Sequence, residues 1–87
     1  MAWEVRFKPS GLREFQALPA QVQVRVGKRF DALAGNPRLP GSIKLEDGEG
    51  YYRLRVGDYR IIYAIDDPAR IVFIAKVGHR GDVYRGR

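Results

Sequence analysis

The stretch "YYRLRVGDYRIIYAIDDPARIVFIAKV", residues 51–77, decides the fold of this chain. It contains three runs, "YYRLRV", "YRIIYAID" and "RIVFIAKV", which are rich in β-branched and aromatic residues and have the length of single strands. A "GD" turn and a "DDPA" turn separate the runs, and such short connections join neighbouring strands that run in opposite directions. The stretch therefore predicts an antiparallel meander of three strands.

The residues before the meander begin with one further strand and a short helix. "WEVRFK", residues 3–8, alternates apolar and charged side chains with the period of a half-buried strand. Pro9 ends this strand, and Ser10 is placed to cap a helix. The apolar stripe of that helix has a spacing of three residues and consists of Leu12, Phe15 and Leu18.

Residues 20–34 fit two different periods. A strand is indicated by the alternation of Val22, Val24 and Val26, whereas a helix is indicated by a second set, Val22, Val26, Phe30 and Leu33. The segment is too long for a typical strand, and Gly35 and Pro37 form a helix stop. We therefore predict a second helix.

The segment "NPRLPGSIKLEDGEG", residues 36–50, is predicted to be a loop. Its apolar residues are expected to dock on the core; they are Leu39, Ile43 and Leu45. The predicted fold class is α+β, with one domain over residues 1–87 and the order β-α-α-β-β-β. A mainly antiparallel four-stranded sheet carries the two N-terminal helices on one face.

Composition restricts the possible functions. The 87 residues include no cysteine, which excludes disulfides and thiolate metal sites, and one histidine, which argues against a protein-only zinc site; we expect no metal and no cofactor. No apolar run is long enough for a membrane span and no signal peptide is evident, so we expect a cytoplasmic protein without a membrane partner. The net charge is +6, and residues 51–87 contribute eight basic against four acidic residues. This charge favours polyanions such as nucleic acid, or an acidic protein.

One face of the meander is predicted to be strongly positive. Strand alternation in residues 51–56 puts Arg53 and Arg55 together, opposite the apolar face that meets the helices. In the next strand, Arg60 occupies the corresponding face. Three guanidiniums on one sheet face repel one another unless an anion or an acidic partner lies among them. The face is a candidate anion site, and the alternative is a solvated surface.

The stretch "KVGHRGDVYR", residues 76–85, adds three candidates at the end of the last strand. Histidine is the residue type that moves protons in both directions near neutral pH, and His79 is the one histidine of the chain. Arg80 adds a further cation, and Tyr84 offers a ring and a hydroxyl. The alternative is that these are surface residues at a strand end.

The segments "YRLRVGDYRIIYAIDD" and "VGHRGDVY", behind a strand and two helices, resemble the RelE/ParE superfamily of type II toxin–antitoxin toxins. "VGHRGDVY" points to the RelE side. The resemblance implies the RelE-like fold and a metal-independent endoribonuclease that cleaves mRNA in the ribosomal A site. It also implies a cognate antitoxin as partner, with operator DNA bound only through the antitoxin complex.

The resemblance also implies roles for single residues. Arg80 corresponds to a position that contacts the scissile phosphate, and Tyr84 to a tyrosine that stacks on a base or orients the reacting groups. RelE relatives carry lysines on the strand that corresponds to residues 51–56, one of them proposed as general base, where this chain has arginines. The base therefore remains open, with His79 as a candidate.

Two rival functions fit the same sequence. A ParE-type poison of DNA gyrase shares the fold without the nuclease chemistry, and the pair Arg80 and Tyr84 argues against it. A non-enzymatic module would act only as an antitoxin-bound co-repressor.

Overall fold

The computed structural model describes residues 2–46 and 50–79. Its elements follow the chain in the order β1 (Glu4–Phe7), α1 (Pro9–Gln16), α2 (Ala20–Gly35), β2 (Ile43–Lys44), β3 (Tyr51–Val56), β4 (Tyr59–Asp66) and β5 (Ile71–His79). The strands form one sheet with the order β1-β5-β4-β3-β2. The predicted α+β class is confirmed.

The meander forms as predicted, with β3 and β4 over the expected residues. Both β3–β4 and β4–β5 are antiparallel pairs. The turn between β3 and β4 has Gly57 at φ 60°, followed by Asp58. A positive φ at the first residue of a two-residue hairpin turn favours glycine, which explains the "GD" sequence. The strand β5 extends two residues beyond the predicted run, to His79.

The prediction of four strands was wrong, because the sheet has five. The additional strand is β2, which lies in the predicted loop and pairs antiparallel with Tyr52 and Arg53 of β3. Its Ile43 is 49% exposed, so this residue does not dock on the core as expected. The sheet is mainly antiparallel, as predicted, and β1 pairs in parallel with β5.

The segment whose sequence fitted two different periods forms a helix, α2, rather than a strand. Val26 and Leu33 are fully buried against the sheet, whereas Val24, which a strand would have buried, is 60% exposed. The start of α1 differs from the prediction, because the helix begins at Pro9 and Ser10 is not its cap.

The core lies between the helices and one face of the sheet. Tyr63 of β4 is completely buried, and its hydroxyl donates to the carbonyl oxygen of Pro37 at 2.7 Å. This bond satisfies the one polar atom of the ring and ties the loop after α2 to the central strand. The same loop is held on the surface by Arg38, which donates two hydrogen bonds to the Asp67 carboxylate at 2.9 and 3.1 Å.

The helix α1 covers the part of the β5 edge that β1 leaves open. Ser10 Oγ donates to the carbonyl oxygen of Ala75 at 3.0 Å, and Glu14 Oε1 accepts from the backbone N–H of Val77 at 2.9 Å. These two side chains supply the hydrogen bonds that a neighbouring strand would otherwise make.

Gly11 allows α1 to approach β5 this closely. A Cβ at this position would lie 3.0 Å from the carbonyl carbon of Ile74, and closer still to its oxygen. The backbone of the helix therefore rests on the backbone of the strand, and no larger residue fits between them.

Within residues 2–46 and 50–79, no helix is both long and apolar enough to cross a membrane.

Candidate active site

The register of β3 and β4 brings three arginines to the sheet face that points away from the helices. Arg55 lies directly opposite Arg60, and Arg53 lies opposite Ile62 in the neighbouring row. Cross-strand partners share a face, so the three side chains belong to one surface, as the alternation predicted. We refer to Arg53, Arg55 and Arg60 as the arginine face.

Arg60 is buried, which differs from the open surface that the sequence predicted. Only 8% of the residue is exposed, and Ile62, two positions further along the same strand, is buried to the same extent. The strand β4 lies between β3 and β5, so a side chain on β4 has a neighbouring strand on each side. Alternation determines the face of a residue but not this coverage.

The guanidinium of Arg60 lacks partners for two of its nitrogens. Nε and Nη1 are buried and make no hydrogen bond to any residue within the described ranges. An unsatisfied buried donor costs about 1–3 kcal/mol, and more when it carries charge. Arg55, which is exposed, adds a like charge directly across the strand pair. An anion bound at this point would satisfy the donors and neutralise the repulsion together.

Two lysines that the sequence analysis did not single out also reach this face. Lys8 Nζ donates to the hydroxyl of Tyr51 at 2.6 Å, and Tyr51 is the residue of β3 that precedes Arg53 on the same face. Lys76 of β5 lies opposite Ile62. The sequence pattern could have indicated Lys8, because the charged residues of the first strand alternate from Glu4 through Arg6 to this lysine.

The structure does not bring His79 to the arginine face. It lies opposite Tyr59, and the two rings meet edge to face with centroids 5.6 Å apart. Val77, two residues earlier in β5, is in the core, so alternation turns His79 to the helix side of the sheet. There it borders a groove with Leu18 and Pro19 at the turn between the helices. Its proposed role in proton transfer therefore has no support from this geometry.

Gly78, rather than a side chain, lies beside Arg60 on β5. The approach to the guanidinium from this side is consequently not blocked by a side chain of that residue. The other two predicted site residues, Arg80 and Tyr84, lie outside the described residues, so their roles stay predictions. Among the residues that the structure describes, no group of three or more His, Cys, Asp or Glu is placed to hold a metal ion.

Comparison with known proteins identifies the family. Residues 5–84 match the family described as the ParE toxin of the type II toxin–antitoxin system, parDE. Toxin RelG from Mycobacterium tuberculosis is 34% identical over 86 residues, which cover 98% of this chain and 99% of RelG. The mRNA interferase toxin RelE from Escherichia coli K12 is 30% identical over 88 residues, which cover 97% of this chain and 92% of that toxin.

A solved structure supports the same assignment. The toxin–antitoxin complex RelBE2 from Mycobacterium tuberculosis contains a chain that matches this fold with a TM-score of 0.82 at 30% sequence identity. The match covers 92% of this chain and 100% of that one. The family match, the sequence identities and the shared fold agree: the chain belongs to the RelE/ParE superfamily of type II toxin–antitoxin toxins, and it is RelE-like.

Proposed function

We propose that this protein is the toxin of a type II toxin–antitoxin system and acts as an endoribonuclease that cleaves mRNA in the ribosomal A site. The observation that carries the proposal is Arg60, a buried guanidinium with two unpartnered nitrogens beside Arg55. Such a site favours an anion, and a phosphodiester presents two oxygens that match the fork of a guanidinium. The relative named mRNA interferase toxin RelE supports mRNA as the source of that phosphodiester.

The proposed reaction is attack by the ribose 2′-OH on the adjacent phosphorus, without a metal ion. A base removes the 2′-OH proton, the new P–O bond forms, and the bond to the 5′-oxygen breaks as that oxygen is protonated. The products are a 2′,3′-cyclic phosphate and a free 5′-hydroxyl. Arg60 and Arg55 would stabilise the extra negative charge on the phosphoryl oxygens in the transition state. Arginine remains protonated throughout, so it does not serve as the base.

Within the proposed mechanism, Arg53 contributes to phosphate binding from the neighbouring row of the same face. Arg80 and Tyr84 remain proposed contacts to the scissile phosphate and to a nucleobase, on the resemblance to the RelE motif. The proposed mechanism does not use His79 as the base, because this residue lies across the sheet from the arginines.

The proposed partner in the cell is a cognate antitoxin. The RelBE2 structure is a complex of a toxin with its antitoxin. A protein that covers the arginine face must supply carboxylates or other acceptors, because covering the exposed Arg55 and the two unpartnered nitrogens of Arg60 without acceptors is costly. We therefore propose that acidic side chains of the antitoxin neutralise this face, and that operator DNA is bound only through the complex.

The decisive experiment programs bacterial ribosomes with a defined mRNA, adds the purified protein, and maps the new RNA 5′ ends. The proposal predicts that the mRNA is cut within the A-site codon. It also predicts that cleavage is lost when the ribosome is omitted or when Arg60 is replaced. The matched variants are Arg60→Met and Arg13→Met, since Arg13 is an exposed arginine of α1 that lies outside the arginine face. Uncut mRNA with the wild-type protein would refute the nuclease function.

The match to the ParE toxin family keeps a second candidate, a poison of DNA gyrase. It is tested by adding the protein to gyrase and supercoiled plasmid and measuring the cleaved DNA that accumulates. A third outcome is that the protein cuts neither mRNA nor plasmid and that operator DNA is bound only when antitoxin is present. This outcome would assign the protein the function of a non-enzymatic co-repressor.

A further inference from the structure

Lys8 and Tyr51 form a bridge across the sheet face that carries the arginines. Lys8 Nζ donates to the Tyr51 hydroxyl at 2.6 Å. Because the strand order is β1-β5-β4-β3 and Lys8 follows the last residue of β1, this bond passes over β5 and β4. Ala64, the partner of Tyr51 on β4, has only a methyl side chain, which leaves room for the lysine. We refer to Lys8 and Tyr51 as the Lys–Tyr bridge.

The backbone of Lys8 is fixed by two hydrogen bonds. Its N–H donates to the carbonyl oxygen of Ile74 at 2.8 Å, and its own carbonyl oxygen accepts from the N–H of Leu12 at 3.0 Å. The residue that follows is Pro9, which restricts the backbone further. The lysine side chain therefore extends over the face from a rigid point, and the ammonium group is positioned before any ligand binds.

The Lys–Tyr bridge has a positive charge without a counter-ion among the residues that the structure describes. Lys8 is half-buried, and its side chain bonds a neutral phenol rather than a carboxylate. Glu4, the acidic residue of β1, is already bonded to Arg6 at 2.6 Å. An ammonium group has three donors, and a phenol oxygen that accepts one of them keeps its own O–H. The bridge thus combines charge with remaining donors, which suits an anion.

The bridge lies apart from the point where Arg55 and Arg60 meet. Tyr51 and Arg55 are the first and fifth residues of β3, which corresponds to about 13 Å between their Cα atoms. The bond to Lys8 also directs the Tyr51 hydroxyl across the sheet towards β1 rather than along β3. A phosphate held between the two arginines is therefore not held by the bridge as well.

We propose that the Lys–Tyr bridge binds a second phosphate of the mRNA strand, close to the scissile phosphate that Arg55 and Arg60 hold. This inference rests on the proposed function, in which mRNA is the substrate. The bridge and the arginines share one sheet face, so an extended RNA strand can contact both. Holding two phosphates determines which bond of the strand lies at Arg60. The bridge thus positions the substrate and takes no part in the reaction.

The test removes the charge of single phosphates from an mRNA that cannot be cut. Bacterial ribosomes are programmed with an mRNA whose A-site codon carries 2′-O-methyl groups, and each phosphate in and beside the codon is replaced in turn by a neutral methylphosphonate. Co-sedimentation measures binding of the wild type, Lys8→Met and Tyr51→Phe. The control is Lys44→Met, because Lys44 is exposed and its partner on β3, Tyr52, packs against the core on the other side of the sheet.

We expect the neutral replacement to weaken wild-type binding at the scissile phosphate and at a second position. The loss at the second position should be about 10-fold, the low end for a hydrogen bond to a charged group, because the bridge is only half-buried. Lys8→Met should bind unmodified mRNA about 10-fold more weakly and show no further loss at that position. Tyr51→Phe should show a reduced loss there, and Lys44→Met should match the wild type.

Three results would overturn the inference. The first is that the wild type loses affinity only at the scissile phosphate, and the second is that Lys8→Met loses as much as the wild type at every position. The third is that Tyr51→Phe keeps the full wild-type loss at the second position; this comparison also serves alone if circular dichroism shows that Lys8→Met does not fold.

The inference and the nuclease function fail in different ways. Binding is measured on an mRNA that cannot be cut, so the expected pattern together with intact ordinary mRNA would refute the nuclease function alone. Cleavage of ordinary mRNA without a second sensitive phosphate would refute only the role of the Lys–Tyr bridge.

Discussion

Replacement of Arg60 by methionine should make the protein more stable and less active. Methionine preserves most of the length of the side chain while removing the charge and the donors. In the wild type, Nε and Nη1 are buried without partners among the described residues, and Arg55 lies opposite. Replacing an uncompensated buried charge by an apolar side chain of similar volume is often neutral or stabilising.

The magnitude follows from the unsatisfied donors. Each costs about 1–3 kcal/mol when it is buried, so their removal should raise the free energy of unfolding by at least about 1 kcal/mol. For a domain of this size, such a change raises Tm by about 4–8 °C. The cleavage rate on programmed ribosomes should fall by about 10²- to 10³-fold, as when one electrostatic donor to a transition state is lost.

The matched control is Arg55→Met, which removes the other charge of the same pair. Arg55 is exposed, so this change should alter stability by less than about 0.5 kcal/mol. Thermal unfolding followed by circular dichroism measures both variants. Equal stabilisation by the two changes would assign the effect to charge repulsion rather than to burial. A clear drop in Tm for Arg60→Met alone would refute the reasoning, because Arg60 would then be a structural residue.

Three other predictions concern the helices, the surface ion pair and the histidine. Gly11→Ala should destabilise the protein by about 1–3 kcal/mol, because the new Cβ meets the backbone of β5. Gly27→Ala places its Cβ in open space and should stabilise the protein by up to about 1 kcal/mol. Urea unfolding measures the stability of both variants. The hydrogen bond from Arg38 lowers the pKa of Asp67. The wild-type protein should therefore be more stable than the Asp67→Asn variant above about pH 4. This difference in the free energy of unfolding should disappear as the pH falls through the lowered pKa. His79→Gln should leave the cleavage rate and its pH profile unchanged, because the ring lies across the sheet from the arginines.

Each of these predictions has an opposing outcome. Increased stability of Gly11→Ala would mean that α1 does not rest on the strand as closely as described. A stability difference for Asp67→Asn that persists at pH 2 would mean that the carboxylate acts through something other than its charge. A slower reaction of His79→Gln, with the loss of a pH dependence near neutrality, would restore the histidine as a proton carrier.

The sequence predicted the local part of the fold well. The β3–β4 hairpin depends on alternation within each strand and on a glycine turn, and all of that information lies within a few neighbouring residues. The parallel pair of β1 and β5 was not predicted, since pairing between distant segments leaves no periodic signal. The strand β2 was missed because its two residues, Ile43 and Lys44, are too short to show a period.

The candidate site was predicted in part for the same reasons. Alternation placed Arg53, Arg55 and Arg60 on one face, but it contains no information about which of them the neighbouring strands cover. His79 was assigned to the region after the strand because the predicted run ended at Val77. If the alternation of the strand had been continued for two residues beyond Val77, it would have placed the imidazole ring of His79 on the helix side of the sheet.

The pairing of β1 with β5 has a consequence for the synthesis of the toxin. Residues 4–7 find their partners at residues 71–74, close to the other end of the chain. A ribosome adds about 5–20 residues per second, so the first strand waits about 3–13 seconds before its partner is made. Once β4 has been made, Arg60 has no neighbouring strand on the β5 side until residues 71–79 follow. The sheet of the nascent toxin therefore remains incomplete until β5 is translated, which leaves an antitoxin that is already present time to meet the chain as it folds.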